Sequence, residues 1–285
     1  MPSRLISLAI LIYWSVAAFY LLTGEVLPEL SLGYPPDLRA IAKASDGNGP
    51  VKWTMEVLDG KEGGESTRTV GEAITSSSRL PDGRFEMGTR VSFDAGELLK
   101  GTPLGIKASV RLKLESIYRI DPSGNLKSFD LTVTPVEASE ALFTVRGRLT
   151  GGTMEIVSRG PVAMLNQTLH IPYQPRGVVH DSLGPFDRLP GLHVGQRWDT
   201  QVVNPFTGQV ERVRVEVDRR TLLHWDGEPI SAFEVVQRSK AMTARTWVRP
   251  DGLIFRQEVP LPIVKLVLER VPDRSRGARG EGVGP

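Results

Sequence analysis

Cysteine is absent from all 285 residues. That one absence excludes disulfides, thiolate nucleophiles, Cys-ligated zinc and iron–sulfur clusters. Histidine is scarce, with four copies at positions 170, 180, 193 and 224, so acid–base and metal chemistry have few starting points. An excess of charge of one sign is missing too. Lys plus Arg number 35 against 33 Asp plus Glu, a formal net charge of +2. No domain-wide pull toward nucleic acid follows, and nucleic acid is not expected as a partner. The Gly-x-Ser-x-Gly elbow, the Walker loop and His-Glu-x-x-His are absent as well. Trp198-Asp199-Thr200 approaches an aspartic-peptidase motif, but Gln201 stands where glycine is required. No cofactor is implied.

What is present begins with an apolar N-terminus. Leu5 to Leu22 contains no charged residue. As a helix those residues would span about 27 Å, enough for a bilayer core. A cleaved signal peptide is the rival reading, with Ser15-Val16-Ala17 as its small-residue site. Cleavage there would leave Ala18 to Leu22 apolar on the mature end, and the run exceeds the usual signal core of about 7–15 residues. An uncleaved signal-anchor over 5–23 is therefore expected. Arg4 precedes it while Glu25 and Glu29 follow, so residues 1–4 are expected in the cytoplasm and the bulk in the periplasm.

Residues 24–50 read as a tether. Pro28, Pro35-Pro36 and Ser45 to Pro50 bracket a short helix at 37–43 capped by Asp37. From Trp53 the hydrophobic period becomes two. Arg212 to Asp218 sets three valines against four charges, and the stretch 108–120 alternates around Leu112, Leu114, Tyr118 and Ile120. Thirteen extended residues would reach roughly 43 Å, which suits a large curved sheet. Further alternating segments include Phe129/Leu131/Val133, Phe143/Val145, Met154/Ile156, Phe233/Val235 and Leu266/Leu268. One polar face per strand argues for antiparallel pairing. Asp94 and Glu97 have capping-box spacing for one short helix.

Three segments share one turn plan: Pro81-Asp82-Gly83, Pro122-Ser123-Gly124 and Pro250-Asp251-Gly252. Proline presets the first corner and glycine supplies a positive φ, so each is a hairpin tip and scaffold rather than site. Trp247 and Phe255, beside the last tip, are expected to plug the packed face. Trp53 and Trp198 each open a strand run that later reaches such a tip, which suggests two similar halves, 51–165 and 190–272. An irregular loop, 166–189, would join them within a 51–272 β domain. Residues 273–285 are low-complexity and expected to be disordered. Arg212, Arg214, Arg219 and Arg220 sit among acidic residues, as on a solvated face.

The stretch 170–198 collects three histidines, so the candidate catalytic residues are His180, Asp181 and His193. Neighbours in an extended chain point to opposite faces, which leaves Asp181 poorly placed to orient His180. A locally hydrogen-bonded loop accounts for them more simply.

The anchor, the Trp53 start, the strand ending in Asp121-Pro122-Ser123-Gly124-Asn125, the run Gly195-Gln196-Arg197-Trp198 and the Thr246–Gly252 segment form a pattern. It resembles bacterial membrane-anchored β-sheet proteins, whose sheet is similar to the curved antiparallel sheet of lipoprotein-carrier proteins. The resemblance implies a mainly β envelope protein and transfers no catalytic residue. The expected function is a single-pass, membrane-anchored, non-enzymatic binding or accessory module, in contact with an envelope complex. Two alternatives stand: a carrier cupping an apolar ligand, and a hydrolase with its site in 170–198.

Overall fold

The computed structural model describes residues 12–17, 19–20, 38–47, 49–61, 64–100, 109–163, 166–172, 186–203, 210–240, 242–261 and 264–273. Among the described residues, two helices and fourteen strands follow residue 37. Helix α1 is Leu38–Ser45, and strands β1 (Val51–Lys61), β2 (Gly64–Arg79) and β3 (Phe85–Asp94) precede helix α2 (Ala95–Leu99). Then come β4 (Arg111–Ile120), β5 (Leu126–Pro135), β6 (Phe143–Thr150), β7 (Thr153–Arg159) and β8 (Gln167–Pro172). The chain continues through β9 (Arg197–Val203), β10 (Val210–Trp225), β11 (Glu228–Arg238), β12 (Thr243–Val248), β13 (Ile254–Pro260) and β14 (Lys265–Arg270).

All fourteen strands join one antiparallel sheet in the order β8-β7-β6-β5-β4-β3-β2-β1-β14-β13-β12-β11-β10-β9. Each strand pairs with its chain neighbours, except that β8 and β9 do not pair with each other and β1 pairs with β14 instead, from Trp53↔Arg270 to Leu58↔Lys265. That closure places β8 and β9, consecutive in the chain, at the two edges. The two expected halves thus form a single sheet. Counted from Trp53 and from Trp198, each later tip follows the fourth strand.

Laid flat, fourteen strands would be about 60 Å wide with one face bare to water. Instead Leu114, Val145, Met154, Val217, Val235 and Leu268 are wholly buried within one apolar cluster fed from both halves. Two short helices cannot cover such a face, so the sheet curls and covers itself. Register shifts at Met55/Glu56, Arg119/Ile120, Val217/Arg219 and Trp247/Val248 supply local bends.

Helix α1 departs from the expectation of a tether. Its Ile41 and Ala42 are 1% and 0% exposed and belong to the main core. The Ser77 hydroxyl donates to the Ala42 carbonyl at 3.4 Å, which seats the helix on the inner face of β2. That explains why β2 is hard to read from sequence. Ala73, Thr75 and Ser77 are small because a helix and the Trp53 indole occupy the space above them, and Trp53 Nε1 donates to Thr75 Oγ1 at 3.1 Å. The α2 cap is as expected, with the Glu97 amide donating to Asp94 Oδ1 at 3.0 Å. The long strand is shorter than expected, Arg111–Ile120 rather than 108–120. The 166–189 stretch contains β8.

All three tips form as expected. Gly83, Gly124 and Gly252 have φ of +83°, +91° and +84°, and each glycine amide donates to the carbonyl three residues back. Trp247 and Phe255, however, do not plug the main core. With Ala232 and Leu253 they form a separate cluster on the outer face of the sheet. Val248, next along β12, pairs with Phe233 and points inward. Trp247 faces outward by alternation with Val248, and the register shift beside it sends Phe255 to the same face, where Trp225 packs on it at 5.6 Å.

On the outer face, Glu269 of β14 lies beside Glu56 of β1. Burial pushes the Glu269 carboxyl above its ordinary range and Glu56 adds repulsion, while Arg256 at 3.9 Å only partly offsets them. A raised folded value means that the native state holds this proton more tightly. Stability from this group is therefore gained as pH falls through the folded value and lost as pH rises. Glu269→Gln is expected to raise the melting temperature at pH 7 by a small amount, within the roughly 0.5 kcal/mol range of surface substitutions. The gain should fade toward pH 4, and a gain that persists there would remove the titration as its cause.

Among the described residues no helix is long and apolar enough to cross a membrane. Residues 12–17 and 19–20 are helical. The rest of the expected 5–23 segment and residues 274–285 lie outside the described residues.

Candidate functional site

The β12–β13 tip is more than a corner. Leu189 N donates to Gly252 O at 2.7 Å and Ile254 N to Asp187 O at 3.1 Å, so residues 186–192 lie across the tip as a strap. Arg188 and Leu253 form an isolated antiparallel bridge in the middle of that contact. Asp187 turns inward and meets Arg270, the last residue of β14. Arg270 Nη1 donates to Asp187 Oδ1, to the Asp187 carbonyl at 3.3 Å and to the Ile254 carbonyl at 3.5 Å. The guanidinium also lies 5.8 Å from the centroid of the Trp53 ring. With the side chains only 9% and 12% exposed, this is a buried ion pair in which Arg270 has several acceptors, while Asp187 Oδ2 is buried without a hydrogen-bond donor among the described residues.

Outside the strap lies a cleft of about 500 Å³. Its floor is the strap and the tip, and the two ends of the β domain, Pro50–Lys52 and Val271–Asp273, form a wall. Trp225 supplies an apolar side, held by its Nε1 donating to the Arg270 carbonyl at 3.0 Å. The charges are mixed. Lys52, Arg188, Arg249 and Arg270 line the cleft with Asp226, Asp251 and Asp273. Arg249 grips Asp251 through Nε–Oδ1 at 3.2 Å and Nη2–Oδ2 at 2.7 Å. Partial burial pushes the Asp251 carboxyl up, but the Arg249 hydrogen bonds, the Leu253 amide and the Arg249 and Arg188 charges outweigh it. Asp251 is held below the usual carboxylate range.

Inside the barrel, beneath α1 and the strap, a cavity of about 20 Å³ is lined by Ser45, Thr75, Ser77, Tyr118 and Asp187. Met87 and Phe186 line it too, so its wall is mixed, and it is little larger than one water. Helix α1 occupies the inner face where an apolar cup would need open space.

Of the candidate catalytic residues, His180 and Asp181 lie outside the described residues. His193 is exposed, and its backbone amide donates to Gln196 Oε1 at 3.3 Å. His170 is also exposed, 3.9 Å from Glu155. Among the described residues no group of three His, Asp or Glu side chains could hold a metal. The arginines of β10 are engaged on the surface: Arg212 and Arg214 face Asp199 at 2.8 and 3.6 Å, Arg219 meets Glu234 at 2.9 Å, and Arg220 covers Phe233. The solvated-face reading accounts for them.

Sequence reasoning passed over Lys52, Arg188, Trp225 and Arg270. The tip reads as scaffold, which it is, but it is also one wall of the cleft. Its own Arg249 and Asp251 were the available signal.

No family model matches the chain, and no curated protein matches it. Comparison with solved structures returns, among others, two of unknown function. One is the crystal structure of a β-barrel-like protein of domain of unknown function DUF1849 from Brucella abortus. It is 10% identical with a TM-score of 0.50, over 78% of this chain and 95% of that one. The other is a DUF1089 family protein from Pseudomonas aeruginosa, 14% identical with a TM-score of 0.34, over 64% and 87%. The first likeness agrees with a β-barrel-like fold and carries no activity.

Proposed function

We propose that the chain is a membrane-tethered, non-catalytic binding module that meets its ligand or partner at the cleft beside the β12–β13 tip. The cleft carries this reading. It is the roomy concave surface where charged donors, acceptors and an indole converge, the combination typical of small-ligand and contact sites. Among the described residues α1 and core side chains pack on the inner face of the sheet, which favours a surface site over an apolar cup.

The tether rests on the N-terminal helix. Ile12, Tyr13, Trp14, Val16, Phe19 and Tyr20 are 54 to 76% exposed. Large apolar side chains this exposed call for an apolar environment, and the uncharged run from Leu5 to Leu22 supplies the length for lipid. Arg4 on one flank and Glu25 and Glu29 on the other favour an extracytoplasmic β domain.

The test uses the full chain in bacterial cells, with a photoreactive residue replacing Lys52 in the cleft or Val162, an exposed residue just past β7. Adducts are expected from position 52 and not from 162, on protein that stays in the membrane pellet after alkaline carbonate. Equal labelling from both positions, or none from 52, would overturn the cleft as the contact site. Release into the carbonate supernatant would overturn the tether.

A further inference from the structure

We infer that the cleft recognises a single anionic oxyacid group, a carboxylate or a phosphate, through Lys52 and Arg188, with Trp225 packing against the rest of the ligand. This rests on the cleft being the binding site.

Two of the four cations that line the cleft have their hydrogen bonds committed within the fold. Arg249 gives two hydrogen bonds to Asp251. Arg270 is committed to Asp187 and two carbonyls. Two cations remain. Lys52 is exposed, and its ammonium has no acceptor among the described residues. Arg188 has a side chain only 22% exposed and gives one hydrogen bond, to the Asp251 carbonyl at 3.3 Å. Its nearest carboxylate oxygens, on Asp251 and Asp187, lie 3.9 and 4.0 Å away, beyond hydrogen-bonding distance. Its Nε is shielded from solvent and has no acceptor.

Nε is closed off and Nη1 is bonded, which leaves Nη2 as the Arg188 donor for an oxyanion, on a planar guanidinium whose neighbours fix its direction. An ammonium on the same cleft adds a second, mobile donor. The carboxylates set an upper limit on ligand charge. Asp226 and Asp273 also line the cleft and would repel a polyanion, whereas one charged group fits between the unspent cations. The Trp225 side favours a ligand with an apolar or planar body behind that group.

The chain contains five tryptophans, so 5-fluorotryptophan labelling of the full chain in dodecyl maltoside micelles gives one fluorine signal for each. Trp225→Phe identifies the line of interest. Inorganic phosphate or acetate, titrated at constant ionic strength, is expected to move that line saturably. Lys52→Gln should weaken the response about tenfold, as expected for a hydrogen bond to a charged group. Lys52 is a solvent-exposed position, so this variant leaves the strap intact. Arg188→Lys keeps the charge, loses the fixed planar donor and should weaken phosphate by a similar factor. Transfer to phosphatidylglycerol nanodiscs separates the sources. A shift there without added phosphate identifies a lipid headgroup, and its absence identifies a soluble anion.

A line that ignores phosphate and acetate but moves with methylammonium overturns the anion assignment and leaves the cleft as a binding site. A line that ignores all three overturns the assignment, while cross-linking from position 52 still decides the cleft independently. A response unchanged in both variants assigns the anion elsewhere and also overturns the inference.

Discussion

Gly252→Val is expected to be among the most damaging single substitutions in the β domain, lowering stability by about 3 kcal/mol or more. Two costs coincide there. The backbone sits at φ +84°, a region where a β-branched residue carries strain of about 1–3 kcal/mol. In addition, a Cβ at 252 would lie 2.9 Å from Pro190 Cα, 3.1 Å from Pro190 N and 3.2 Å from Leu189 O. These are backbone atoms and ring atoms of the strap, with no side-chain end free to swing away. Relief requires the strap to lift, which breaks the Leu189–Gly252 hydrogen bond and loosens Asp187 from Arg270. Gly83→Val is the matched control. Its φ is nearly the same, but the added Cβ meets only Pro122 side-chain atoms at 3.7 Å or more. It should cost about 1–2 kcal/mol, the backbone strain alone. Urea unfolding followed by tryptophan fluorescence measures both. In Gly252→Val, tryptic cleavage at Arg188 should also quicken under native conditions. Equal losses at the two glycines, with Arg188 still protected, would remove the strap contact as a stabilising feature.

Those two glycines also mark how far the sequence can be read. Pro-Asp-Gly is a local signal, and it locates both turns and both positive φ values correctly. Nothing local distinguishes 252 from 83, because the difference is Pro190, which arrives through tertiary packing. The same division runs through the fold. Alternation identifies β4, β10 and β14, since each shows valine or leucine on one face and charge on the other. β2 escapes because its inner positions are Ala73, Thr75 and Ser77, kept small by α1 and Trp53 above them. α1 is legible as a helix from its caps and apolar face, but its docking inside the sheet is not. Trp247 and Phe255 are legible as strand aromatics, yet a one-residue register shift decides which face Phe255 occupies. The candidate site suffers most from this limit. His180, Asp181 and His193 attract attention because they are near each other in sequence. The cleft instead joins Lys52, Arg188, Trp225 and Arg270 from the start, middle and end of the β domain, through the β1–β14 pairing and the strap.

Breaking the Asp187–Arg270 pair is the other large expected effect. Asp187→Ala should cost about 3–5 kcal/mol, because it leaves a buried guanidinium without its counter-charge. Arg270→Ala should cost a similar amount, stranding Asp187 and removing the group that covers the Trp53 ring. The double replacement Asp187→Leu with Arg270→Met should cost clearly less than the sum of the two alanine variants, because no unpaired charge remains. Arg270→Lys separates charge from shape. It keeps the positive charge but cannot reach Asp187 Oδ1 and two carbonyls from a planar fork, so it should fall between wild type and Arg270→Ala. Urea midpoints for the Asp187→Ala and Arg270→Ala pair and their double mutant form a cycle that isolates the coupling. Strict additivity would mean that the two residues stabilise the fold independently and that the strap is held by its backbone hydrogen bonds alone. A coupling of about 2 kcal/mol or more, within the range for residues in direct contact, would place the pair at the junction of three chain regions. Arg270 ends the strand that pairs with β1, Trp53 starts the opposite strand, and Asp187 carries the strap. Neutralising one partner should then loosen the closure of the sheet and the floor of the cleft together, as both depend on the same guanidinium.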